Sequence, residues 1–222
     1  MYDIISDQPD FIVINKNPFV HFHSQDGNAG VIAQLSDDID QDLFPVHRLD
    51  TMTSGVLLIA KSSSAAAELS KAFRDRQTQK FYLAIAQGKP KKKQGLIKGD
   101  MAKARRGQWK LMKTNGNPAI TQFFSHSLGQ GLRAYLLKPH SGKTHQLRVA
   151  LKSLGTAILG DELYGGGDAD RGYLHAWQLS IPFKGELLHF VAPLPNSDHS
   201  PLINQGLPQD WQTPNDLNWP SL

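Results

Sequence analysis

The chain has 222 residues, 40% of them hydrophobic and 20% charged, with a formal charge of +4 and no cysteine. That length suits one large domain or a domain with an appendage, and the balance excludes disorder throughout. Lack of cysteine excludes a disulfide scaffold, zinc fingers, iron–sulfur ligation and thiol catalysis, and no run of about 18 apolar residues exists to span a membrane.

The opening MYDIISDQPD carries early acids and no apolar core, so no signal peptide is expected and a cytoplasmic location is. Residues 10–15 (DFIVIN) form a short apolar run that predicts a strand. His21 and His23 follow, without a third ligand at matching spacing, and no metal is expected there. A turn is expected around Gly27 and Gly30, a short helix over 31–35, and an acidic connector over 37–42. In VHRLDTMTSGVLLIAKS (46–62), the continuous apolar run 56–60 suits a strand buried on both faces. The polar residues 47–54 lie at its entrance. Ser62 to Ser64 offer an N-cap, and Ala66, Leu69 and Phe73 recur at helical spacing, predicting a helix over 65–79. Residues 80–87 alternate, with Phe81, Leu83 and Ile85 on one face and Tyr82 on the other.

Residues 88–113 hold ten basic side chains and one acid. This window carries +9, the remainder of the chain therefore −5, and Trp109 lies inside it. A basic stretch with an aromatic suits a phosphate backbone with accessible bases; a solvated loop whose lysines confer solubility is the alternative. A loop or loose hairpin is expected for it. Strands are expected over 119–125 and 132–138, joined by a turn at Gly129 and Gly131. A helix is expected over 144–154, with Leu147, Leu151 and Leu154 as its buried stripe and Gly155 ending it. Arg148 stands one residue off that stripe. Further strands are expected over 173–181 and 187–191. From Pro195 onward Pro, Asn, Gln and Asp dominate, and Trp211 and Trp219 are possible docking points. Strands outnumber helices, so the fold class is α+β with a large, mostly antiparallel mixed sheet flanked by helices and loops.

Three side chains could do chemistry. Asp50 is close in sequence to Arg48 at the mouth of a buried strand. An ionised carboxylate there could act as nucleophile, base or partner for a developing cation, or it could merely cap a turn or pair with Arg48. Arg148 follows Gly142-Lys143-Thr144-His145, a helix entrance suited to anions, though an exposed basic face explains it equally. Tyr82 is the third, with an ordinary sheet tyrosine as its alternative. The chain contains no phosphate loop, dinucleotide fingerprint, HExxH or GxSxG, and no cofactor is expected.

Taken together, these residues resemble the RluA family of RNA pseudouridine synthases. VHRLDTMTSGVLLIAKS is similar to that family's HRLD–TSG signature. Lys80-Phe81-Tyr82-Leu83-Ala84 resembles its KxYxA block, and Gly142 to Val149 its GRTHQIRV block. Gly160-Asp161 through Tyr164-Gly165 and then Leu174-His175-Ala176 resemble GDxxYG and LHA. Asp10 to Asn17 resembles its N-terminal stretch. The likeness covers about residues 1–195. Lys143 stands where the family usually has Arg, Ala150 where it often has His, Met52 where Asp is frequent, and Asn17 separates Lys16 from Pro18.

The resemblance implies the pseudouridine synthase catalytic fold over 1–195 with a basic insertion at 88–113, followed by a tail at 196–222. It implies isomerisation of specific uridines in tRNA or rRNA to pseudouridine, with Asp50 as the catalytic carboxylate. Tyr82 would pack on the target base, and Arg148 would pair with Asp50. Arg48 would fill the gap or grip phosphate when the uridine flips out, and Leu174 would line the uracil pocket. Lys91, Lys92, Lys93, Arg105, Arg106 and Lys143 are the expected RNA-binding set. His47 is expected to be a structural hydrogen-bonding residue, and Asp161 and Tyr164 to shape a supporting loop. A monomer without the S4 RNA-binding domain of many relatives is expected, so that the catalytic domain and its insertion hold the RNA. An inactive RNA-binding or RNA-folding protein on the same scaffold is the alternative.

Overall fold

The computed structural model describes residues 1–25, 27 and 29–222. In chain order its elements are β1 (Tyr2–Asp7), β2 (Phe11–Lys16), α1 (Val31–Ile39), β3 (Phe44–Pro45), β4 (Ser54–Ala60), α2 (Ser63–Arg74) and β5 (Gln79–Gln87). Then come β6 (Gln94–Gly99), β7 (Met101–Lys103), β8 (Trp109–Leu111), β9 (Ala119–Gly129) and β10 (Leu132–Pro139). α3 (Gln146–Ser153), β11 (Leu174–Phe183), β12 (Glu186–Val191) and α4 (Ser200–Gly206) complete it. The turn expected at Gly27 to Gly30 includes Asn28, outside the described residues. Two compact units are formed, Met1–Lys80 with His175–Pro195, and Phe81–Leu174 with Asn196–Leu222.

In the first unit β4 is the central strand, buried along its whole length as its unbroken apolar run dictates. β2 pairs with it antiparallel, from Phe11 opposite Ala60 to Lys16 opposite Gly55, and β1 extends the sheet beyond β2. β11 joins β4 in parallel at His175 opposite Ser54, and β12 returns antiparallel to β11. The register at Gly55 demands glycine: its φ is +112°, and a Cβ would lie 2.2 Å from the Ala176 carbonyl oxygen. Helix α2 lays Ala65, Leu69 and Ala72 on a core with Phe11, Val13, Val56, Leu58, Leu179 and Ile181. Ser62 Oγ caps it by accepting from the Ala65 N–H at 3.2 Å. The helix ends at Arg74, five residues short of expectation, because its apolar spacing stops at Phe73.

In the second unit β10 is flanked antiparallel by β5, with Leu137 opposite Tyr82, and by β9. β6 pairs with the far side of β9. The basic segment is thus more ordered than a loop. Ile97 is buried between exposed or half-buried neighbours, which makes residues 94–99 a half-buried edge strand. β7 and β8 form a separate two-stranded hairpin whose turn holds Arg105 and Arg106, both exposed. Helix α3 starts at Gln146, two residues late, because His145 before it adopts φ +57°. The Gln146 side chain holds that entrance. Its Oε1 accepts from Ser141 Oγ at 2.8 Å and from the Lys143 N–H at 3.1 Å, while Nε2 donates to the Ile120 carbonyl at 3.1 Å.

The segment after Pro195 packs rather than hanging free. Ile203 and Trp211 are buried, and the Trp219 ring lies 5.8 Å from Phe81 and 4.8 Å from Phe124. Gln122 Nε2 donates to the Pro220 carbonyl. Both units are built on mostly antiparallel sheets with helices, the α+β class read from the sequence. Among the described residues no helix is long and apolar enough to cross a membrane.

Candidate active site

Asp50 and Arg48 belong to the first unit; Tyr82, Arg148, Lys143, Leu174 and the basic segment belong to the second. Asp50 is half-buried in a turn closed by the Thr53 N–H donating to its carbonyl at 2.9 Å. Arg48 is exposed on the approach to that turn, with Leu49 buried between them.

Beneath the turn lies a residue to which the sequence reading gave no role. Lys16, the last residue of β2, is fully buried. Its three ammonium protons meet three backbone carbonyls: Asn17 at 2.9 Å, Val20 at 2.9 Å and Thr51 at 3.2 Å. The segment after β2 is thereby tied to the turn that presents Asp50. Burial pulls the Lys16 ammonium down to about 7, opposed by the attraction of the Asp50 carboxylate. A second tie runs between Thr51 Oγ1 and His21 Nδ1, 3.3 Å apart.

Two further histidines brace the strand below. His175 bridges Ser54 Oγ at 2.9 Å and the Ala192 carbonyl at 3.1 Å. His47 accepts the Leu58 N–H on Nε2 at 2.9 Å and stacks on Phe73. That nitrogen must be unprotonated to accept, and burial, aided by the charge of Lys80, lowers His47 to about 3. The structural role expected of His47 holds.

In the second unit Arg148 is 7% exposed, deeper than a place beside the α3 stripe implies. Asp161 is the reason. It accepts Nε on one carboxylate oxygen at 2.8 Å and Nη2 on the other at 2.7 Å, a planar two-point grip. The same carboxylate caps the following turn at the Tyr164 N–H. The Tyr164 ring lies 5.0 Å from the guanidinium centre. Its hydroxyl accepts the Trp109 N–H at 2.9 Å and is 3.0 Å from His145 Nδ1, while Gln108 Nε2 donates to the Leu163 carbonyl. The loop expected to support the site therefore also anchors the basic hairpin. Sequence reading missed this link because Trp109 and Tyr164 are 55 residues apart.

Tyr82 is half-buried on β5, and Leu174 is buried at the start of β11. Lys91, Lys92 and Lys93 are exposed between β5 and β6. Lys143 is half-buried in the entrance to α3. Of these positions only Lys91, Lys92 and Lys93 face solvent fully, on the unit that carries Arg148.

A family model described as RNA pseudouridylate synthase matches residues 10–153. A protein of Haemophilus influenzae named an uncharacterized RNA pseudouridine synthase is 48% identical over 184 residues, 82% of each chain. The dual-specificity RNA pseudouridine synthase RluA of Escherichia coli is 36% identical over 67% of this chain and 72% of its own. The ribosomal large subunit pseudouridine synthase D of Borreliella burgdorferi is 39% identical over 68% of this chain and 48% of its own. Among solved structures, human RNA pseudouridylate synthase domain containing 4 aligns with a TM-score of 0.70 at 26% identity, over 87% of this chain and 88% of its own. Human RNA pseudouridylate synthase domain containing 1 shares the fold, with a TM-score of 0.73 at 24% identity over 92% and 94%.

Proposed function

The chain belongs to the RNA pseudouridylate synthase family, and from that premise we propose that Asp50 is its catalytic carboxylate, acting on uridines of tRNA or rRNA. RNA pseudouridine synthases are isomerases. The C1′–N1 glycosidic bond breaks, the uracil turns while bound, and C5 joins C1′. The proton displaced from C5 is balanced by one gained at N1, so no atom enters or leaves overall. Cleavage develops positive charge at C1′, which an ionised carboxylate can stabilise, attack, or relieve by taking a sugar proton.

One observation supports Asp50 more than any other: the turn that presents it is pinned from below by the buried Lys16 through the Thr51 carbonyl. A reacting carboxylate needs that fixity, since a small misplacement costs orders of magnitude in rate. Tyr82 and Arg148 are proposed to serve the same reaction, Tyr82 against the base and Arg148 toward the carboxylate. The grip of Asp161 supports Arg148, because it fixes the guanidinium plane. Leu174 is proposed to wall the uracil pocket. Arg48, Lys143, Lys91, Lys92, Lys93, Arg105 and Arg106 are proposed to meet phosphates around an extruded uridine. The name of one relative points to the ribosomal large subunit, which supports rRNA as a substrate. The working form is taken to be a cytoplasmic monomer.

The test is pseudouridine mapping by carbodiimide treatment and reverse transcription of RNA from parent, deletion and Asp50→Asn-complemented cells. A stop lost in both altered strains, with purified Asp50→Asn protein folded and binding RNA, is the expected result. Retained product in Asp50→Asn would remove Asp50 from the chemistry.

A further inference from the structure

Two oddities coincide at Phe19. Among the described residues it is the only exposed aromatic of the large apolar side chains, at 56%. Among the described residues other than glycine it is also the only apolar one with a left-handed backbone: φ is +62°, while the others are Asp40, Arg76, Arg106, Gln130, His145 and Lys184. A bulky side chain in that region is strained, and such strain persists only where the surroundings impose it.

The surroundings do impose it. Lys16 Nζ donates to the Asn17 and Val20 carbonyls, one on each side of Phe19. The segment is also pinned further out, by the Asn17 N–H on the Met1 carbonyl at 2.9 Å and by the Val31 N–H on the His21 carbonyl at 2.8 Å. The third donor of Lys16 reaches the Thr51 carbonyl, next to Asp50. One ammonium therefore holds both the segment that presents Phe19 and the turn that presents Asp50.

The ring is held out to water at a cost in backbone strain, in a segment tied down on both sides. No acidic residue occurs from Phe11 to Gln25, so nothing in that stretch repels phosphate. Its flanking residues Pro18 and Val20 are half-buried, which leaves a single ring rather than an apolar patch. One ring matches the face of one base better than it matches a protein surface.

We infer that Phe19 is a nucleobase-stacking residue, taking a base near the target uridine as the RNA docks at the Asp50 turn. This rests on the RNA-modifying reading above. Unstacked bases of loops are held in this way on aromatic side chains, and any base offers a face to stack.

The experiment uses full-length protein and total RNA from the deletion strain, which carries the unmodified target. Single-turnover pseudouridine formation at varied enzyme concentration gives the half-saturating concentration and the maximal rate for each variant. Phe19→Ala and Phe19→Gly are expected to raise the half-saturating concentration by roughly fivefold to hundredfold, with Phe19→Trp within about threefold of the parent. Phe19→Gly also relieves the backbone strain, so its melting temperature is expected to equal or exceed that of the parent while its RNA affinity falls. Parent-like saturation in both truncated variants would overturn the inference. So would a loss in Phe19→Trp equal to that in Phe19→Ala, or an affinity loss that follows melting temperature across the series. If the parent forms no pseudouridine in that RNA, the enzymatic reading fails, and this inference with it; failure of Phe19 alone leaves that reading standing.

Discussion

Acid should unfold this protein in part through one imidazole. His47 Nε2 accepts the Leu58 N–H at 2.9 Å, which only the unprotonated ring can do. In the unfolded chain the ring takes a proton near its ordinary value of 6.5, whereas in the folded chain burial lowers that to about 3. The lowered value means that the unfolded state binds more protons between these limits. The His47 contribution is therefore complete above pH 6.5 and is lost progressively as pH falls toward 3. At pH 4.5, two pH units below the ordinary value, the loss from this group is about 2–3 kcal/mol. That is a large share of a domain stability of roughly 5–15 kcal/mol. The comparison is His47→Gln, whose side-chain carbonyl can still accept from Leu58 but cannot titrate. Urea unfolding at pH 7 and pH 4.5 gives the stability lost by each protein. The parent is expected to lose about 2–3 kcal/mol more than His47→Gln over that interval. Equal losses would show that His47 is protonated in the folded state and that the Leu58 hydrogen bond is not what this geometry implies.

Tyr164→Phe removes the hydroxyl that accepts the Trp109 N–H, so the β7–β8 hairpin should loosen while the Asp161 grip on Arg148 stays. Hydrogen–deuterium exchange is expected to quicken across residues 101–111, with a stability cost of about 1–2 kcal/mol; unchanged exchange would detach the hairpin from Tyr164. Replacing Lys91, Lys92 and Lys93 together by Ala should weaken RNA binding and lower the slope of log affinity against log salt by about 2, whereas an unchanged slope would make these lysines solubility charge only.

How far the sequence could be read depended on whether local pattern or distant partners decided each element. β4 was legible because a strand buried on both faces reads as an unbroken apolar run. β1 was not, since Asp3 and Asp7 interrupt it and its strand state comes from pairing with β2. The start of α3 was misplaced because the Gln146 side chain, not periodicity, closes its entrance. Asp50, Tyr82 and Arg148 stood out as candidates through short blocks of residues, and so did Asp161 and Tyr164 as a supporting loop. The support of Asp50 did not. Lys16 looks like an ordinary polar end to a strand, and the carbonyls that meet its ammonium come from residues 17 and 20 and from Thr51, 35 residues away. Trp219 offered two outcomes, packed or free, and the aromatic faces of Phe81 and Phe124 that decide between them lie more than 90 residues away.

Lys16 illustrates why that support escapes pattern. A buried ammonium loses its water, which costs several kcal/mol even after relaxation. Three charge-assisted bonds to carbonyls return about 1.5–3 kcal/mol each. The two effects are of similar size, so Lys16 adds little net stability, and an apolar residue of similar volume could serve the core as well. What an apolar residue cannot do is fix three carbonyls on two separate stretches of chain. Those stretches carry the strained Phe19 and the turn of Asp50. The lysine is thus better explained by the positions it sets than by the stability it adds, and a pattern of apolar and polar residues records only the latter.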